Sequence, residues 1–217
     1  MISDNLKKRI FTGLILLIIL TVIFISKITM TYFLIILGVF AVLEFAELIK
    51  KIFLKKLTIF LLNFCFVTYI FIFCFIFFYF SNLIVLKTIL LLFLICCIAS
   101  DIGGFIFGKI IKGPKLTKIS PKKTYAGAIG SLALSVIVMI SLFLYLFQSF
   151  SYKVVLIALM TSVFCQIGDL IFSFLKRKAK IKDTGKILPG HGGILDRLDG
   201  IFLGLPMGLL SLILFYH

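Results

Sequence analysis

Acidic side chains are scarce in this chain of 217 residues, which has eight Asp and Glu against 23 Lys and Arg. Histidine is scarcer still, with His191 and His217 far apart, and that excludes a zinc site built on paired histidines. The five cysteines (Cys65, Cys74, Cys96, Cys97 and Cys165) lie inside apolar stretches without metal-ligand spacing. They are read as small core residues, and neither a thiolate metal cage nor a disulfide framework is expected. No low-complexity linker and no repeat is found, so a separate soluble domain is not expected either.

What the chain has in abundance is apolar sequence, 62% by composition with a mean hydropathy of +1.26. A soluble core cannot absorb so much Phe, Leu and Ile, and the reading is an all-α, polytopic transmembrane helix bundle. Crossing a hydrocarbon layer of roughly 30 Å takes about 20 helical residues. Seven stretches approach that length, near 10–26, 29–49, 57–80, 83–107, 125–147, 152–175 and 199–216. The first follows the basic cluster Lys7-Lys8-Arg9 as a signal peptide would, but no small-residue cleavage site follows Ile25-Ser26-Lys27, so it is read as a span.

The charges test the count independently. With a cytoplasmic N-terminus, all Lys and Arg except Lys27, Lys87 and Lys153 fall on the cytoplasmic side, which is the positive-inside pattern. The same asymmetry accounts for most of the net charge of +15, so no nucleic-acid partner is inferred. Some of these lysines meet anionic headgroups, at about 1 kcal/mol each near the surface.

Polar residues divide the chain unevenly. Residues 1–85 carry little beyond loop lysines and read as N-terminal scaffold helices, whereas 86–217 hold all four prolines, most glycines and every later Asp. That second part reads as the catalytic region, with cytoplasmic loops 108–124 and 176–198.

Four of the eight acids, Asp169, Asp183, Asp196 and Asp199, cluster in or just before Ser173–Asp199 (SFLKRKAKIKDTGKILPGHGGILDRLD), among Lys176, Arg177, Lys182, His191 and Arg197. Carboxylates suit a hard cation, and Lys and Arg suit phosphate oxygens. At about 100° per residue, Gln166, Asp169, Ser173 and Lys176 or Arg177 share one face of an otherwise apolar helix. A charged Asp deep in a span costs about 2.5–3.5 kcal/mol, so Asp169 is read as a partnered functional group rather than a packing ion pair. If the last helix starts near 195, Asp196 and Asp199 share a face at its N-terminus, where free N–H groups favour anions. Such carboxylates would repel one another without a cation, and Mg²⁺ held by carboxylates and substrate phosphates is the ordinary solution.

Gly192 and Gly193 beside His191 permit close approach of backbone to a ligand or a positive φ. His191 is open to three roles: general acid, phosphate donor or turn residue. Asp101, Gly104 and Gly108 fit one helix face at the end of the fourth span, a smooth surface that a neighbouring helix or a substrate can approach. The loop after it, with Ser120, Pro121, Lys122, Lys123 and Thr124, is rich in ammonium and hydroxyl groups for phosphate and supplies a proline start for the next helix.

With these residues in view, the chain resembles the CDP-diacylglycerol synthase family, also called phosphatidate cytidylyltransferases. Its signature, Ser-x-aliphatic-Lys-Arg-x4-Lys-Asp-x-small-x2-aliphatic-Pro-x-His-Gly-Gly-aliphatic-x-Asp-Arg-x-Asp, is matched at every fixed position from Ser173 to Asp199. Gly168-Asp169, Asp101-x-Gly103 and Ser120-Pro121-Lys122-Lys123-Thr124 add to the match; Ala126 and Phe172 stand where the family usually has Glu. The resemblance implies transfer of a cytidylyl group from CTP to phosphatidate at the cytoplasmic face of the inner membrane, giving CDP-diacylglycerol and pyrophosphate. It implies Mg²⁺ held by Asp169, Asp196 and Asp199, with a second cation left open, and catalytic roles for these three together with Lys176 and His191. It implies substrate contacts from Asp101, Ser120, Lys123, Thr124, Ser173, Arg177, Lys182, Asp183, Gly192, Gly193 and Arg197. The partners implied are CTP, phosphatidate and the bilayer, with a homodimer left open.

Two rival functions fit parts of the pattern. One is a cytidylyltransferase or CTP-dependent kinase for another lipid. The other is a transporter, which should place its acids near mid-membrane rather than at the cytoplasmic ends of spans.

Overall fold

The structure, a computed structural model, describes residues 26–117, 119–185 and 192–216. Six helices account for most of them: α1 (Lys27–Ile52), α2 (Lys56–Phe80), α3 (Ile84–Ile110), α4 (Tyr125–Phe147), α5 (Tyr152–Lys178) and α6 (Leu195–Tyr216). All six are long and apolar enough to cross a membrane. Each described span expected from hydropathy is found as a helix, and the last begins earlier than the expected 199, at Leu195. The expected span at 10–26 and the cluster Lys7-Lys8-Arg9 lie outside the described residues. Among the described residues there is no β-sheet; an isolated bridge pairs Lys115 with Thr124.

The chain forms two compact units. The first comprises the described residues up to Leu83 with Leu175–Leu198, and the second comprises Ile84–Phe174 with the described residues from Asp199 onward. One boundary falls between α2 and α3, and the other two fall within α5 and α6.

In the first unit, α1 packs on α2 through a narrow seam. Phe45 stacks on Phe66 with ring centroids 3.8 Å apart, and Phe66, Ile70 and Phe77 are the buried side of α2. Gly38 lets Ile70 and Cys74 approach, since a Cβ there would stand 3.2 Å from Ile70. Phe60, Phe64, Phe71 and Phe75 of α2 remain exposed, which is harmless in hydrocarbon because lipid tails are as apolar as the side chains. α1 ends with Lys50 and Lys51 in its last turn, where cations favour the helix dipole. Beyond its end Phe53 lies under the Lys178 ammonium, 4.9 Å from the ring centroid.

The second unit is held by small residues. Along α3, Gly103, Gly104 and Gly108 meet Gly127, Gly130 and Ser131 of α4 so closely that a Cβ on Gly103 would lie 2.5 Å from the Gly130 carbonyl oxygen. On α6, Gly200, Gly204 and Gly208 recur every fourth residue and admit Cys165, Cys97, Thr161 and Phe93. Such stripes let backbones approach where burial of apolar surface gives helices no net attraction over lipid. A buried hydrogen bond of 2.8 Å between the Ser100 and Ser162 hydroxyls adds a polar tie.

Two expectations are corrected. Pro121 does not start a helix: the Lys123 N–H donates to the Ser120 carbonyl at 3.0 Å, placing Pro121 second in a turn that its fixed φ favours. α4 is instead capped by Thr124, whose hydroxyl accepts from the Gly127 N–H at 3.1 Å. The cysteines are not uniformly core either. All five are free thiols, but Cys65 is exposed and Cys74 half-buried, because α2 buries only one stripe.

Candidate functional site

In the first unit the expected site is the end of α5, the segment after it and the start of α6. Helix α5 stops after Lys178, and the chain turns through Lys180 at φ +56° while the Ile181 N–H donates back to the Lys176 carbonyl at 3.0 Å. This leaves Lys176 buried, its ammonium 2.7 Å from Asp196 Oδ1. The other oxygen, Asp196 Oδ2, accepts from the Thr184 N–H at 2.8 Å and the Gly193 N–H at 3.0 Å, and lies 3.1 Å from the Thr184 hydroxyl oxygen. Asp196 is thus a charge-balanced carboxylate with both oxygens committed.

Helix α6 begins with Ile194 before Leu195, and an isoleucine has no side-chain acceptor for the first helical N–H groups. A residue far upstream supplies it. Glu44, buried on α1, accepts from the Ile194 N–H at 3.0 Å on Oε1, and on Oε2 from the Leu195 N–H at 2.9 Å and the Thr184 hydroxyl at 2.7 Å. A carboxylate at a helix N-terminus is favoured by the dipole, and hydrogen bonds to a charged group are worth about 1.5–3 kcal/mol each.

These contacts account for glycines in the signature. A Cβ on Gly185 would stand 2.6 Å from Glu44 Oε1, and one on Gly193 would run into Glu44 Oε2 and Thr184 Oγ1. Gly193 is buried, so its missing side chain makes room for the carboxylate. Gly192 has the positive φ expected, +84°, and a Cβ there would also lie 2.8 Å from Asp196 Oδ2. Arg177, Lys182, Asp183 and Arg197 are exposed, and Arg177 Nη1 donates to the Ile181 carbonyl at 3.3 Å. His191 lies outside the described residues.

In the second unit, Asp169 and Ser173 share the expected face of α5, the Ser173 hydroxyl donating to Asp169 Oδ1 at 3.3 Å. Asp169 Oδ2 forms an ion pair with Lys123 from the turn before α4. Both partners are part-exposed, 32% for the Asp side chain and 25% for the Lys. The Lys115–Thr124 bridge and the Leu116 N–H to Lys123 carbonyl bond of 2.8 Å fold the loop back and present Lys123. Asp101 is exposed, with the Cys165 thiol 3.8 Å from its Oδ1. Asp199 is buried, its Oδ1 accepting from the Gly200 N–H at 2.9 Å. Phe172, where the family usually has an acid, is buried with its ring 6.4 Å from that of Phe202. Ser120 and Thr124 serve the turn and the helix cap.

Among the described residues no group of three or more His, Cys, Asp and Glu side chains is placed to hold a metal ion by itself. Glu44 and Thr184 are the residues that the sequence reading missed. The available signal was an acid inside an apolar span, where a carboxylate is costly without partners.

The model of the Cytidylyltransferase family matches residues 54–215, and the chain belongs to that family. It is similar to proteins named phosphatidate cytidylyltransferase: 42% identical over 135 residues to that of Staphylococcus haemolyticus, covering 61% of this chain and 52% of the relative. The same figures hold for the Staphylococcus aureus protein, and that of Helicobacter pylori is 40% identical over 129 residues, covering 56% and 46%. The chain thus spans about half the length of the curated relatives it matches.

Proposed function

We propose that this chain is a phosphatidate cytidylyltransferase of the bacterial inner membrane, forming CDP-diacylglycerol and pyrophosphate from CTP and phosphatidate for phospholipid synthesis. The observation that supports it best is the way the described parts of the signature stretch are held, with Lys176 on Asp196 and Thr184 and Leu195 both on Glu44. Similarity to proteins of that name supplies the substrates. The positive-inside pattern supports seven spans, a cytoplasmic N-terminus and reaction at the cytoplasmic face.

The chemistry asks little covalent work of the protein. An oxygen of the lipid phosphate attacks the α-phosphorus of CTP, the bond from that phosphorus to the bridging oxygen breaks, and pyrophosphate leaves with the electron pair. Two polyanions must meet, so the protein's task is positioning and charge neutralisation. Lys176, Arg177, Lys182 and Arg197 are assigned to phosphate oxygens, as are Lys123, Thr124, Ser120, Ser173 and the backbone of Gly192 and Gly193. Asp101 and Asp183 are assigned to the substrates, and His191 to proton or phosphate contact.

Carboxylate oxygens are the hard donors that Mg²⁺ takes, and one or two suffice when phosphates complete the set. Asp169 fits best, being part-exposed and, among the described residues, held by a lysine and a hydroxyl; Asp196 and Asp199 are assigned to the same group, and Asp196 would have to release donors of its own unit to join it. When bound, Mg²⁺ would supply neutralisation of phosphate charge. The test is purified protein in detergent with phosphatidate, Mg²⁺ and CTP labelled in the base: label should enter CDP-diacylglycerol, and label remaining wholly in water-soluble products would refute the proposal.

A further inference from the structure

Glu44 lies upstream of the matched family region and outside the chemistry assigned above, yet both of its oxygens are engaged by donors more than a hundred residues away. We infer that Glu44 is a positioning residue for cytidylyl transfer: from α1 it holds Thr184, Ile194 and Leu195 and, by taking the Thr184 hydroxyl hydrogen, leaves Asp196 to be oriented by the backbone N–H groups of Thr184 and Gly193. The inference rests on the reading of the chain as a cytidylyltransferase.

Thr184 Oγ1 is 2.7 Å from Glu44 Oε2 and 3.1 Å from Asp196 Oδ2, and a hydroxyl has one hydrogen. Donation to the nearer Glu44 leaves Asp196 Oδ2 to the backbone N–H groups of Thr184 and Gly193 and so sets its direction. The same Glu44 satisfies the Ile194 and Leu195 N–H groups, which fixes where α6 begins and hence where Asp196 stands. A side chain that only filled space would not need both oxygens aimed at backbone donors. Nor would two glycines, Gly185 and Gly193, have to yield space to that carboxylate. Glu44 thereby acts on Asp196 and Lys176 without being placed to touch substrate itself.

A neutral amide cannot replace it. Glu44→Gln keeps the size but turns one end into a donor facing the Ile194 or Leu195 N–H, so one contact becomes repulsive. Thr184→Val keeps the shape and removes the shared hydroxyl. Both variants should be purified, checked for a single species by size exclusion, and compared at saturating CTP and phosphatidate. Each should lose about 10- to 100-fold in kcat per folded protein, the scale of a catalytic group displaced by about 1 Å. Together they should lose little more than either alone, because both cut one network. Hydrogen exchange of the 192–198 peptide should rise in Glu44→Gln.

Wild-type kcat in folded Glu44→Gln, or additive losses in the double variant, would overturn the inference while leaving the function intact. Unchanged exchange in Glu44→Gln would overturn the anchoring itself. A wild-type protein that makes no CDP-diacylglycerol, but whose Glu44→Gln variant still exchanges faster, would instead refute the proposed function and support the anchoring.

Discussion

The carboxylates of the two units live in opposite circumstances. Asp196, in the first, has one oxygen on a buried lysine and the other on Thr184 and Gly193, and Glu44 beside it is satisfied by backbone and hydroxyl donors. Asp169, in the second, is part-exposed and holds a part-exposed lysine and a serine hydroxyl. A carboxylate surrounded by fixed donors is costly to rearrange, whereas one paired with a flexible, solvated lysine can exchange partners at small cost. The comparison teaches that acids close in sequence can sit in unlike surroundings: both oxygens of Asp196 are engaged by donors of its own unit, whereas the Asp169 carboxylate stays part-exposed beside a part-exposed lysine.

The strongest way to break this contrast is charge removal at both carboxylates. On the proposed cation assignment, Asp169→Asn and Asp196→Asn should each lower turnover by about 100-fold or more, since each would remove a charge from the proposed site. Only Asp196→Asn should also lower thermal stability in detergent, because only it abandons a buried lysine; equal stability losses would erase the distinction.

The lysines provide the complementary cut. Lys176→Met leaves a largely buried carboxylate without its cation and should cost about 3–5 kcal/mol, seen as a lower yield of folded protein. Lys123→Met should cost about 0–1 kcal/mol, as part-exposed pairs do, while still impairing turnover. A reversed order of stabilities would contradict the assignment.

Glycine replacement sharpens the contrast further. Gly193→Ala puts a methyl against Glu44 and Thr184 and should unsettle the start of α6. Gly113→Ala, at φ +97° with open space around it, should cost only about 1 kcal/mol of backbone strain. Thermal unfolding of the two variants side by side checks this. The smallest effect is expected from Phe172→Leu, a nearly volume-conserving change beside Phe202 that should cost less than about 1.5 kcal/mol.

The sequence made the helices legible because a bilayer demands long apolar runs, and six of the expected seven fall on described residues as helices. It made Asp169 with Ser173 legible because i and i+4 share a helix face. Glu44 was not legible in the same way: its partner Thr184 lies 140 residues away, and periodicity carries no information about such pairings. The glycine-glycine step was read as permitting close backbone approach to a ligand or a positive φ; Gly192 has the positive φ, and the space beside Gly193 is taken by Glu44 and Thr184, which only the position of Glu44 reveals. Pro121 was misplaced because a proline suits the second position of a turn as well as the first turn of a helix.

The central claim is cytidylyl transfer to a lipid phosphate, and pyrophosphate release tests it most directly. Purified wild-type protein is assayed with CTP, phosphatidate and Mg²⁺, and then with each omitted in turn. The account predicts release in the complete mixture alone, matched by an equal amount of CDP-diacylglycerol. Release without phosphatidate, release without matching CDP-diacylglycerol, or none in well-folded protein across several phosphatidates and divalent cations would contradict it.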